Sequence, residues 1–225
     1  NAFAEGKTGR RHFIEVDVDV LTYFDIEDRD VQLMIPIPED VRIRVRQRLA
    51  LVKPTDSITV AIHPGARMKM RQWKPERYAE IARRLQRAHG ASILLLGGPG
   101  EEHLLAAMEK EMGFPAALKS CDLSLLDMAA VFSECRIFIG NDSGPGHIAA
   151  AVGCPTLSLF GPNFPDICRP YIDAGEVIFK NLDCCGCRQE EHLCGRPDNT
   201  CMDLITVDDV WQRLQKMLAP HNPVG

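Results

Sequence analysis

The chain has 225 residues, 45% hydrophobic and 25% charged, with a formal net charge of −5, which describes a soluble globular protein of one large or two modest domains. The acidic balance argues against broad nucleic-acid binding, which shows a basic excess. No run approaches the roughly 18 consecutive apolar residues that a membrane span needs.

The chain opens at Asn1 on a polar stretch that holds Gly6, Lys7, Gly9, Arg10 and Arg11. With no initiator Met and no signal-peptide pattern, it reads as part of a longer protein. Residues 1–55 are expected to be the remnant of a preceding domain and a connector. Val16, Val18 and Val20 alternate with acids, which locally says strand. The stretch from Arg42 to Leu51 has the pattern of a basic amphipathic helix.

From Ser57 onward strand-like and helix-like patterns alternate. The run from Ser57 to Ile62 predicts a strand that ends at the turn residues His63, Pro64 and Gly65. A helix is expected from Trp73 to His89, where Tyr78, Ile81, Ala82 and Leu85 share a face. The apolar run from Ser92 to Leu96 fits a strand buried on both sides, closed by Gly97, Gly98 and Gly100. A helix follows from Glu101 to Met112, with acids in the first turn where the helix dipole favours them.

Leu125, Met128, Ala129 and Phe132 then mark a helical stripe. A strand from Arg136 to Gly140 runs into Asn141, Asp142, Ser143, Gly144, Pro145 and Gly146. A short helix over Ile148 to Val152, a strand from Thr156 to Phe160 and a further strand from Glu176 to Lys180 come next. Thr206, with Asp209 three residues on, opens a last helix over residues 206–219. This alternation predicts an α/β fold, a doubly wound Rossmann-like parallel sheet over residues 56–225, with a Cys-rich insertion at 183–202.

Ligands of such sheets bind beyond the carboxyl ends of the strands. The loop from Asn141 to His147 combines an acid, a hydroxyl, two glycines and a His before an Ala-rich helix. Backbone amides at a helix N-terminus favour phosphate oxygens, and Gly144 allows close approach. Asp142 suits sugar or ribose hydroxyls. The same residue types also serve any turn and helix cap. Neither a GxGxxG nor a Walker A pattern is present.

The segment NDSGPGHIAAAVGCPTLSLFGP, residues 141–162, closely resembles glycosyltransferase family 9, the ADP-heptose:lipopolysaccharide heptosyltransferases. IHPGA, RQWKPERYAEIARRL, LLLGGPGEE and LSLLDMAAVFSECRIFIGND are similar to further family segments. HFIEVDVDVLTYFDI resembles the family's interdomain helix, which overrules the strand reading of the valines. The resemblance implies the C-terminal half of a GT-B glycosyltransferase. Such a half holds an ADP-sugar donor, while a lipid-linked saccharide acceptor and the catalytic base belong to the N-terminal domain. No catalytic residue is therefore assigned here.

Carried over residue by residue, Ser143 and Gly144 match diphosphate contacts, Asp142 a sugar contact, and His147 a position beside the phosphates. Gly65 and Ala66 match a small-residue loop near the diphosphate. Glu102 matches a ribose-binding carboxylate, with Glu101 its competitor, and Leu123 a residue against adenine. The family's phosphate-pairing Lys, two residues before the Trp, is replaced by Arg71, with Lys69 as the other candidate. The Pro that follows that Trp in the family is displaced to Pro75.

The implied reaction is inverting and metal-independent transfer of heptose or a similar sugar to a lipopolysaccharide core or other surface glycan. No cofactor is required, and the location is cytoplasmic with contact at the inner membrane. The alternatives are a noncatalytic nucleotide-sugar-binding module and a sugar-nucleotide epimerase of similar architecture.

Nine cysteines remain to be placed. Cys121, Cys135 and Cys154 fall in apolar segments and read as small buried hydrophobes. Cys184, Cys187, Cys194 and Cys201 have a count and spacing that suit a structural zinc site, which Cys185 blurs. Free thiols or adventitious disulfides are the other reading.

Overall fold

The computed structural model describes residues 10–26, 31–54, 57–187 and 200–219. Six strands form one parallel sheet in the order β3-β2-β1-β4-β5-β6. They are β1 (Thr59–His63), β2 (Ser92–Leu96), β3 (Leu118–Ser120), β4 (Ile137–Asn141), β5 (Thr156–Phe160) and β6 (Gly175–Phe179). The helices are α1 (Phe13–Val18), α2 (Glu39–Ala50), α3 (Pro75–His89), α4 (Glu102–Met112), α5 (Leu125–Ser133), α6 (Gly144–Ala151), α7 (Pro165–Cys168), α8 (Thr200–Asp203) and α9 (Val207–Leu218). The doubly wound α/β expectation holds.

β1, β2, β4 and β5 are buried along their whole length, as continuous apolar runs require of strands covered on both faces. Successive side chains still alternate between two cores. Val60, Ile62, Ile93, Leu95, Ile137 and Ile139 join one core with Tyr78, Ile81 and Leu85 of α3 and Val210 and Leu214 of α9. Ala61, Leu94, Leu96 and Phe138 face the other, with Met128 and Phe132 of α5.

Helix α2 contributes Val41, Val45 and Leu49 to that second core. Burying three such side chains is worth about 1.5–3 kcal/mol each, which fixes the helix on the sheet. The valines at 16 and 18 lie in α1, and Val20 in a 3-10 turn over Asp19–Phe24. Neither stretch contains a buried residue, and the strand pattern is not realised. α3 starts at Pro75, so Trp73 is not helical but fully buried ahead of it. Pro75 occupies the first turn, where a missing N–H costs nothing. Thr206 and Asp209 complete a reciprocal capping box on α9.

The strand order reverses between β1 and β4. β2 and β3 extend the sheet to one side of β1, and β5 and β6 extend it to the other side of β4. Loops leaving β1 and β4 therefore diverge and open a crevice at the carboxyl edge.

Candidate functional site

His63 ends β1 in register with Gly140 of β4, so the two loops leave the sheet side by side. Asn141 ties them together. Its amide nitrogen donates to the carbonyls of Pro64 (2.8 Å) and Gly65 (3.1 Å). Its side-chain oxygen accepts from the Trp73 backbone amide (3.0 Å) and the Tyr78 hydroxyl (2.9 Å). All four hydrogen-bonding positions of this amide are used, so a residue that is only 1% exposed carries no unmet polar group. In the sequence Asn141 is the first residue of a polar turn. Its one distinguishing signal is its place as the last residue of an apolar strand.

Asp142 follows and is also buried. Its carboxylate pairs with the Arg71 guanidinium at 3.0 Å and accepts from the Asn163 amide at 2.9 Å. Arg71 reaches it from a short 3-10 turn over Lys69–Arg71, before the buried Trp73. The two residues expected to meet a diphosphate and a sugar thus meet each other across the β1/β4 crevice. Asn163, on the loop after β5, is a third member that the sequence reading did not name.

Ser143 is the N-cap residue of α6, yet its hydroxyl makes no capping bond. Its Oγ donates instead to the Asn141 carbonyl at 3.3 Å. Gly144 is exposed, and an added Cβ would meet nothing within 4 Å. Packing within the described residues does not require glycine there. His147 lies one turn further along. Burial holds its pKa below the ordinary value, the Asp142 carboxylate opposing and His12 adding to the shift.

The β1 loop has its own tight contact. A Cβ on Gly65 would fall 2.0 Å from a carboxylate oxygen of Glu101, so only glycine lets that carboxylate lie against the loop. The Glu101 carboxylate accepts from the Gly98 amide (2.8 Å) and stands 3.3 Å from His63 Nε2. Burial lowers the His63 pKa, and Glu101 works against that shift. Glu102 is exposed at the start of α4, its carboxylate accepting from the Gly100 amide at 3.4 Å. Of the two competitors, Glu101 is engaged with the protein and Glu102 faces outward. Ala66 is buried, and its carbonyl accepts from Gln72.

Leu123 follows β3 and packs partly buried against the second core. It lines a hollow of about 170 Å³ with Arg44, Arg48, Asp122 and Asp127. In sheet order the residues run from Leu123 beyond β3, through Glu102 beyond β2, to the loops beyond β1 and β4, and Asn163 beyond β5.

The cysteine turn sits behind the β5 loop. Cys185 Sγ lies 3.6 Å from the Gly161 carbonyl, and the Gly186 amide donates to the Pro162 carbonyl at 2.8 Å. Cys201 packs beneath Gly161, while Cys184 is exposed. Cys185, which the expected zinc ligand set left out, thus faces the β5 loop together with Cys201. Cys194 lies outside the described residues, and among those residues no three side chains form a metal-binding group. Cys168 is near Asn163 (3.3 Å), its thiol pushed up to about 12 mainly by burial.

Residues 11–196 match the profile of glycosyltransferase family 9 (heptosyltransferase). Lipopolysaccharide heptosyltransferase 3 of Escherichia coli K12 is 29% identical over 165 residues, 72% of this chain and 47% of that protein. Lipopolysaccharide heptosyltransferase 1 of Pseudomonas aeruginosa is 31% identical over 159 residues, 68% of this chain and 42% of its own. The chain spans about half the length of the curated relatives it matches. A glycosyl transferase family 9 structure from Veillonella parvula superposes with a TM-score of 0.79 at 22% identity, covering 92% of this chain and 60% of that one. E. coli heptosyltransferase WaaC with ADP gives 0.61 at 19% identity, over 88% and 53%. These two likenesses bear on the fold.

Proposed function

Because the chain belongs to glycosyltransferase family 9, we propose that it holds the nucleotide-sugar site of a heptosyltransferase-type enzyme, with an ADP-sugar as donor. The observation that carries this is the crevice at the strand-order reversal, where Ser143, Gly144 and Arg71 surround the start of α6. The helix N-terminus and a cation there suit a diphosphate. Base and ribose extend toward Leu123 and Glu102, and the sugar toward Asp142.

In this reading the acceptor is a lipopolysaccharide core or another surface glycan, and transfer inverts the anomeric centre. The acceptor hydroxyl attacks the anomeric carbon as a carboxylate removes its proton. That carboxylate is expected outside this chain. The departing diphosphate is stabilised by fixed dipoles and the Arg71 charge, which cost no reorganisation during the reaction. That electrostatic set supports a metal-independent reaction. A noncatalytic sugar-nucleotide-binding module would share the donor site but not the transfer.

Calorimetry with ADP, UDP and GDP in the absence of added metal tests the reading. Saturable binding of ADP in preference to the other two is expected. Clear binding of UDP with none of ADP overturns the adenine assignment, and no binding of any nucleotide overturns the donor site.

A further inference from the structure

Arg10 reads in the sequence as one of several solvated charges, and it precedes the residues that match the family profile. In the structure its guanidinium carbon lies over the Phe164 ring, 3.4 Å from the centroid. A guanidinium stacked this way spends one face on the ring and keeps its in-plane N–H groups for acceptors. Arg10 Nη1 is buried, and it has no hydrogen-bond partner among the described residues. A buried charged donor without an acceptor is costly, and an anionic oxygen removes that cost.

The platform is fixed from several sides. Phe164 packs edge-on against Phe179, and Gly186 presses so close that a Cβ there would fall 2.3 Å from the ring. The segment that carries Arg10 is anchored by His12. Its Nδ1 accepts from the Ile14 amide, so Nε2 holds the proton and donates to the Arg169 carbonyl at 2.9 Å. The His12 ring also packs at a tilt against Tyr171, with centroids 5.0 Å apart.

Phe164 directly follows Asn163, whose amide holds Asp142. The stacked arginine therefore stands at the β5 end of the carboxyl edge, next to the proposed sugar position. The carboxylate held by Asn163, Asp142, is already met by Arg71. We propose that Arg10, on its Phe164 platform, is an oxyanion-binding residue that takes a phosphate or carboxylate oxygen of a ligand in this cleft. The identity of that ligand rests on the donor-site reading. The oxyanion belongs either to the donor diphosphate or to an acidic group on the acceptor.

Calorimetry on the 225-residue chain separates these cases, with Arg10→Gln and Phe164→Leu as variants. The second keeps the charge and removes the platform. ADP, adenosine and inorganic phosphate are titrated, the last with and without saturating ADP. If the donor diphosphate is the ligand, Arg10→Gln weakens ADP about tenfold or more and spares adenosine. If the oxyanion is the acceptor's, ADP is unchanged, and phosphate binding to the ADP-saturated protein is lost in Arg10→Gln and weakened in Phe164→Leu. Either result supports the assignment.

Unchanged ADP and phosphate binding in both variants overturns it. The unliganded melting temperature supplies a second readout, since removing an orphaned donor should leave it level or raise it. A fall with no change in ligand binding marks Arg10 as structural and overturns the proposal. A wild-type chain that binds phosphate through Arg10 but no nucleotide refutes the donor reading alone.

Discussion

At the residue scale, Asp142 and Ser143 are neighbours with different work to do. Asp142 is bonded to Arg71 and Asn163, while Ser143 bonds only to the Asn141 carbonyl and leaves α6 uncapped by a side chain. Asp142→Ala should release Arg71 toward the diphosphate, so ADP binds as well or better while an ADP-sugar weakens. Ser143→Ala should weaken both by about 1–2 kcal/mol and leave the urea midpoint in place. A helix-cap role predicts instead a stability loss of about 1 kcal/mol. Calorimetry and urea unfolding of both variants decide between them. Equal losses for ADP and ADP-sugar in Asp142→Ala would remove the sugar-contact role. The turn chemistry of this loop was legible in sequence, but the partners were not. Asn141, Asn163 and Arg10 act through groups 21 to 154 positions away, and local patterns hold no record of such pairings.

At the element scale, the apolar runs announced β1, β2, β4 and β5, because strands buried on both faces need them. β3 escaped notice. Its three residues include the exposed Lys119, and edge strands show no continuous apolar run. The Cys-rich turn has the spacing of a structural zinc site or of free thiols, and its described part packs against the loop after β5. Gly186 has φ +83°, and a Cβ would strike Phe164. Gly186→Ala should therefore cost roughly 1–3 kcal/mol of stability from backbone strain and overpacking. It should also weaken an ADP-sugar more than ADP, because Phe164 adjoins Asn163. Cys184→Ser, at an exposed thiol, should stay within about 0.5 kcal/mol. A large loss in Cys184→Ser in denaturant melts would support the expected zinc ligand set. An unchanged Gly186→Ala would remove the bracing role.

At the scale of the whole molecule, the buried His63 and the half-buried His147 set a pH dependence. Burial lowers the pKa of His63 and His147 below the ordinary 6.5. The unfolded chain then takes up protons that the folded chain resists, so stability falls as pH drops through about 6.5. The ion-paired carboxylates, among them Glu80 and Glu109, have lowered pKa values and act in a separate window. Their contribution is lost only near and below pH 4.5, the ordinary glutamate value. Urea midpoints between pH 7.5 and pH 5, in steps of about half a unit, should show the first decline. His147→Gln should make it shallower, and an unaltered slope would exclude His147 as a contributor.

The class of fold was readable from alternation along the chain, but the strand order was not. Which strands pair is a long-range matter, and the reversal between β1 and β4 makes the crevice. The most direct test of a donor site there is an amide-resolved NMR titration with ADP. Saturable shifts are expected at Ser143, Gly144 and His147 and at Gly65 and Ala66, with smaller ones beyond β3 at Leu123. Shifts confined to the opposite edge of the sheet, around Gly90, Phe114 and Ala117, would contradict the site.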